Sequence, residues 1–330
     1  MQTDHLCRFP LGQLPTPVTP LEAVGKFLGG PRLLIKRDDQ TGLALGGNKT
    51  RKLEYLLADA LAQGADTLVT AGAAQSNHCR QTAAAAARAG LKCELVLGGQ
   101  PPDQPNGNVL LDEILGATIH WAGPERRGER LAEVAEQLRA QGRRPYLVPY
   151  GGSNAIGAAG YVRAMEELMA QLAALGRRVD HIVFASSSGG TQAGLIAGAK
   201  ATGFEGQVLG IRIDKGFPLE TPYETHLVSL AQATADYVGL KVTITAVDCV
   251  VNADYVGAGY GVVGDLEREA IRMMARHEGV LLDPVYTGRA FGGLVDLIRR
   301  GTFSRTETVL FWHTGGAPAL FAYAGELSGR

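Results

Sequence analysis

From residue 65 onward, short apolar runs alternate with longer stretches in which apolar residues recur every three or four positions. The short runs DTLVTAG (66–72), CELVLG (93–98), TIHWAG (118–123), PYLVPY (145–150), HIVFAS (181–186), QVLGIRI (207–213), KVTITAV (241–247) and VLFWHTGG (309–316) predict strands. The stretches between them, such as SNHCRQTAAAAARAG (76–90), RLAEVAEQLRAQG (130–142), TQAGLIAGAKATG (191–203) and RAFGGLVDLIRRG (289–301), predict helices that stop at a glycine. Alternation of this kind is the signature of α/β architecture, open twisted sheets flanked by helices. The glycines of YGGSNAIG (150–157) divide the pattern into two blocks, and the strand RLLIKRDD (32–39) precedes the first block while belonging to the second. The expected organisation is a large domain built from residues 1–52 and 155–330, with a small α/β domain of residues 53–154 inserted in it.

Composition narrows the function classes. The 330 residues carry 32 basic and 33 acidic side chains with no long run of one sign, so nucleic acid and membrane surfaces are not expected partners. No apolar run approaches the roughly 20 residues that cross a bilayer, and the N-terminus lacks the layout of a signal peptide. A cytoplasmic protein with a small-molecule ligand is expected. Cys7, Cys79, Cys93 and Cys249 lack metal-site spacing, which predicts no metal centre and reduced thiols.

Candidate chemistry lies at the starts of helices. In GGNKTRK (46–52), Lys49 follows two glycines and an asparagine and opens the helix of LEYLLADAL (53–61). A helix N-terminus disfavours an ammonium, and Arg51 and Lys52 add like charge in the same turn. Only eight of the 32 basic residues are lysines, so a lysine kept here supplies an amine able to lose its proton, the nucleophile of a Schiff base. SSSGGTQAGL (186–195) places Ser188, Gly189, Gly190 and Thr191 after a strand and before a helix, an arrangement that cradles a lone phosphate ester; an ordinary helix cap is the plainer alternative. AGAAQSNHCRQT (71–82) likewise brings Gln75, Ser76, Asn77 and His78 to a strand end, where a carboxylate fits. Tyr260 in VGAGYGVVG and Tyr286 in LLDPVYTG offer phenols in glycine-flanked loops, and FWHTGGAPALFAY (311–323) sets Thr314 at a further strand end.

An amine, a phosphate cradle, a carboxylate turn and loop phenols together describe a pyridoxal 5'-phosphate site. The segments IKRDDQTGLALGGNKTRKLEYLLADAL, AGAAQSNHCRQTAAAAA, SSSGGTQAGL, LLDPVYTG and FWHTGGAPALFAY resemble the D-cysteine desulfhydrase and 1-aminocyclopropane-1-carboxylate (ACC) deaminase family, from about residue 8 to residue 323. The resemblance implies the tryptophan synthase β-like fold, known as fold type II, and a homodimer. It implies that Lys49 forms the internal aldimine, that Asn77 bonds the cofactor's 3-oxygen, that Ser188, Gly189, Gly190 and Thr191 hold the phosphate, and that Thr287 or Thr314 faces the pyridine nitrogen. Ser76, Asn77 and His78 would grip the substrate carboxylate, with Ser76, Tyr260 and Tyr286 at the reacting carbon.

Position 287 separates members of the family. ACC deaminases carry a glutamate after the DPVY tyrosine, where this chain has Thr287. A hydroxyl makes the ring a weaker electron sink, adequate for expelling a thiolate. The expected activity is therefore α,β-elimination of D-cysteine to pyruvate, ammonia and hydrogen sulfide. L-Cysteate sulfo-lyase and ACC deaminase are the alternatives, and an amino-acid sensor on the same fold is the non-catalytic one.

Overall fold

The computed structural model describes residues 2–214 and 221–328. Ten strands form two sheets: β1 (Val18–Pro20), β2 (Arg32–Arg37), β3 (Thr67–Ala73), β4 (Lys92–Gly98), β5 (Thr118–Trp121), β6 (Pro145–Leu147), β7 (His181–Ser186), β8 (Gln207–Arg212), β9 (Val250–Asn252) and β10 (Thr308–His313). The larger sheet has the order β1-β2-β10-β7-β8-β9, and the smaller one β5-β4-β3-β6. All pairings are parallel except that of β1 with β2.

Strand periodicity explains why these runs read as continuously apolar. In the larger sheet Leu34, Ile182, Phe184, Val208 and Leu310 point into one core. Their neighbours Leu33, Ile35, Val183, Leu209 and Val309 point into a second core on the opposite face. The smaller sheet repeats the division, with Leu68 and Leu95 on one face and Val69 and Val96 on the other. A parallel sheet covered on both sides by helices needs apolar residues at both parities.

One sequence expectation is corrected. The run KVTITAV (241–247) forms no strand. The side chain of Gln232, in the helix Tyr223–Tyr237, donates to the Val242 carbonyl and accepts from the Ile244 amide, so this backbone is satisfied without a ladder. The edge strand that pairs with β8 is instead β9. The boundary expected after residue 52 falls inside the continuous helix Lys49–Ala62.

Parallel topology gathers the loops that matter. The segments after β3, β6, β7 and β10 all leave the carboxyl ends of their strands, where open α/β sheets bind ligands. They meet in one cleft lined by Asn48, Lys49, Ser76, Asn77, His78, Tyr150, Gly151, Ser188, Gly189, Thr191, Tyr286 and Thr314, among others.

Candidate active site

Lys49 is the first residue of its helix and is fixed from both sides. The Asn48 amide donates to the Thr314 carbonyl (3.0 Å), and Asn48 Nδ2 donates to Thr191 Oγ1 (3.0 Å). On the other side, the Thr50 amide and hydroxyl both donate to Gln81 Oε1 (2.7 and 2.9 Å). Lys49 Nζ then reaches the Gly151 carbonyl at 3.1 Å. Burial lowers its proton affinity to about 8.

The cause differs from the one expected. Arg51 turns away from the cleft and is neutralised by Asp38 (Nε to Oδ2, 2.9 Å) and Glu167 (Nη2 to Oε1, 2.8 Å), so it adds no like charge beside Lys49. Lys52 does face the same space. Its Nζ donates to the same Gly151 carbonyl (3.1 Å) and to Ser153 Oγ (3.2 Å). Burial, and then the neighbouring Lys49, hold Lys52 well below the usual amine range. Burial lowers both amines, and repulsion from Lys49 lowers Lys52 further, which favours a free amine within the pair.

Facing the lysines, Gly189 is in the left-handed conformation (φ +86°) and caps the helix Gly190–Thr202 without any side-chain cap. The amides of that first turn therefore open toward the cleft, and Ser153 Oγ accepts from the Gly190 amide at 3.2 Å. A β-carbon at Gly190 would lie 2.6 Å from Ser153 Oγ and 2.8 Å from Lys52 Nζ. At Gly151 (φ +66°) it would lie 2.3 Å from Ser188 Oγ. Bare backbone, the hydroxyls of Ser188 and Thr191, and an amine converge on one point. That donor set fits a phosphate ester.

The turn after β3 has two occupations. Ser76 caps the helix Asn77–Ala89, its Oγ accepting from the Cys79 amide (3.2 Å), while its hydroxyl still borders the cleft. His78 is buried, with Nε2 2.9 Å from Thr70 Oγ1, and burial, then Lys49 and Lys52, hold it neutral. Cys79 is a buried thiol pushed upward chiefly by burial, a packing residue.

Tyr260 and Tyr286 form a pair, hydroxyl to hydroxyl at 2.6 Å, with rings edge to face. Tyr286 lines the cleft and Tyr260 stands behind it, under the guanidinium of Arg126 at 4.1 Å from the ring centre. Burial raises both phenols well above their ordinary value.

The structure separates the two threonines. Thr314 lines the cleft, whereas Thr287 is buried behind it, its hydroxyl donating to Asp283 Oδ1 (2.7 Å) and accepting from the Asp283 amide (2.8 Å). Asp283 also accepts from the amides of Val285, Tyr286 and Thr287, which fixes the loop carrying Tyr286.

Sequence reasoning missed Lys52, Tyr150, Gly151 and Ser153 as parts of the site. Tyr150 to Ser153 follows β6 as the other site loops follow their strands, and that repetition was a usable signal. Lys52 carried a local signal in its spacing from Lys49. Its helix phase, three residues on from Lys49, puts it on the same face, whereas Arg51 at two residues on lies away from it.

A protein-family pattern described as "Pyridoxal-phosphate dependent enzyme" matches residues 10–315. Among solved structures, an ACC deaminase homologue is 39% identical, with a TM-score of 0.90, covering 99% of this chain and 97% of its own. O-ureido-L-serine synthase has the same fold at 17% identity, with a TM-score of 0.68 and coverage of 97% and 95%. The processed form of threonine deaminase isoform 2 from Solanum lycopersicum likewise shares the fold, at 16% identity and a TM-score of 0.64, with coverage of 95% and 82%.

Proposed function

Because the chain belongs to the pyridoxal-phosphate dependent enzymes, we propose that it is a carbon–sulfur lyase converting D-cysteine and water to pyruvate, ammonia and hydrogen sulfide. The observation that carries this reading is the cleft wall: among the described residues lining it there is no carboxylate. Asp283, the acid behind the wall, has its oxygens taken up by three amides and the Thr287 hydroxyl. The pyridine nitrogen would therefore meet the hydroxyl of Thr314. Such a partner suits a good leaving group at the β-carbon better than an unactivated carbon–carbon bond.

The cofactor supplies the electron sink for loss of the α-proton. This chain's residues supply position and proton traffic. Ser188, Gly189, Gly190 and Thr191, with Lys52 and Ser153, would hold the phosphate, and Asn77 would donate to the 3-oxygen. Ser76, with the turn amides through His78, would fix the substrate carboxylate. Lys49, whose buried amine loses its proton near pH 8, would be the attachment point and the base for the α-proton. The Tyr260–Tyr286 pair, held neutral, would deliver a proton at the β-substituent as hydrosulfide departs. The large and small domains would be the two sheet layers that bracket the cleft.

One observation favours L-cysteate as a second substrate. Arg126 lies over Tyr260, with Nη1 3.5 Å from the hydroxyl of the cleft residue Tyr150, and a cation there suits a sulfonate. Its pairing with Asp214 (3.1 Å) offsets that charge, which keeps the thiol first.

The test is pyruvate release from D-cysteine, L-cysteine, L-cysteate and ACC, with hydrosulfide measured in parallel. D-cysteine should dominate. Dominant turnover of ACC would overturn the argument from the cleft wall, and a purified protein that takes up no pyridoxal phosphate would end the enzyme reading.

A further inference from the structure

Arg80 is wholly buried, and none of its acceptors among the described residues is charged. Nη1 donates to Asn77 Oδ1 (3.1 Å) and to Asn108 Oδ1 (2.7 Å), and Nη2 donates to the Gly46 carbonyl (2.7 Å). Asn108 Nδ2 in turn donates to Asn77 Oδ1 (3.0 Å) and to the Gln75 carbonyl (2.9 Å). With two donors on its oxygen, the Asn77 amide can have only one orientation, with Nδ2 on the cleft side. A β-carbon at the neighbouring Gly316 would come within 2.9 Å of that Nδ2, so the glycine keeps the approach open.

A buried guanidinium without a counter-charge is costly. The nearby Asp112 does not form the missing ion pair. Its carboxyl has no hydrogen-bond partner, and burial pushes it up to about 8. No carboxylate hydrogen-bonds this cation, Asp112 and Asp283 acting on it only through space, so its hydrogen-bonding field is passed on through Asn77 as a polarised N–H donor. A site built this way awaits an anionic oxygen in front of Asn77. The same guanidinium holds the Gly46 carbonyl at the head of the Lys49 turn, so a single side chain registers that turn against the Asn77 turn.

We infer that Arg80, supported by Asn108, is a positioning residue that fixes the Asn77 amide donor-outward and polarises it toward the ionised 3-oxygen of the cofactor. The inference rests on the cofactor placement proposed above, and the test separates the two. The full-length protein, stripped of cofactor, is titrated with pyridoxal 5'-phosphate and with its 3-deoxy analogue, following the quenching of protein fluorescence. The wild type should favour pyridoxal phosphate by about tenfold, the range of one charge-assisted hydrogen bond. In Arg80→Gln that preference should fall to about one, and in Asn108→Leu it should fall to an intermediate value. A purely structural defect would weaken both ligands alike and leave the ratio unchanged. Should Arg80→Gln fail to fold, Asn108→Leu decides. A wild-type ratio in the folded variants, or equal affinity of the wild type for both ligands, overturns the inference with the cofactor site intact. Absence of binding by either ligand overturns the inference and the cofactor site together.

Discussion

At the scale of single residues, two lysines one helical turn apart have been given different work. Lys49 lines the cleft, Lys52 reaches Ser153, and both lean on the Gly151 carbonyl; in the proposed function the first serves the reacting position and the second the phosphate. Lys49→Ala should lower turnover by about 10³-fold or more while the fold survives, measured as pyruvate release beside a circular dichroism spectrum. Lys52→Ala should instead raise the dissociation constant of the cofactor by about tenfold, read by equilibrium titration. The buried amine also leaves a mark on the stability of the cofactor-free protein. Lys49 binds its proton more weakly in the fold, near 8, than in the unfolded chain, near 10.5. Its penalty is therefore complete below pH 8 and relieved as pH rises toward the unfolded value. Urea midpoints of the wild type minus those of Lys49→Met should rise across that window, and a flat difference would contradict the burial argument.

At the scale of elements, each site loop is the junction between a strand end and a helix start. The junctions work because glycine and hydroxyl residues leave backbone amides exposed there. Gly190→Ala tests this directly. Its added methyl would press on Ser153 and Lys52 and should reduce cofactor affinity by at least about tenfold, with little change in the melting temperature of the cofactor-free protein. These junctions were largely legible in the sequence, because strand, polar turn and helix follow one another locally at 72–77, 186–191 and 313–319. The turn at Tyr150–Ser153 was equally local yet read as a boundary, since glycine pairs mark linkers as well as ligand sites. KVTITAV carried an unambiguous strand pattern and forms none, because the side chain of Gln232, on the preceding helix, claims its backbone groups.

At the scale of the whole molecule, a buried polar network joins the helix of Lys49 to the larger sheet. Asp38, at the end of β2, accepts from Arg51, Thr16, Tyr161 and Trp312, and Glu167 completes the set with Arg51 and Lys36. Burial would raise Asp38, yet the Arg51 guanidinium outweighs it and holds the carboxyl at about 2. Asp38→Asn leaves Arg51 partly uncompensated and should destabilise the protein by about 3 kcal/mol, measured by urea unfolding at pH 7. The Asp38 contribution is complete above the unfolded value of 3.8 and is lost as pH falls through about 2, so the variant and the wild type should converge in acid.

The local order of residues was enough to determine the α/β class, most of the strands and helices, and the candidate roles of Lys49 and of the phosphate loop. These depend on periodicity, on helix-start chemistry and on glycine, all of which act within a few positions. Helix period sets Lys52 on the face of Lys49 and Arg51 away from it, and only the tertiary structure supplied the partners that hold them there. Arg51 leaves the cleft because Asp38 and Glu167 wait for it on the other side of the helix, and Lys52 enters because Gly151 and Ser153 do. Thr287 yields the cleft to Thr314 because Asp283 engages its hydroxyl, and Arg80 gains its place behind Asn77 from Asn108 and Gly46. The charge environment of a buried group is set by partners far away in the chain, and no window of sequence contains them.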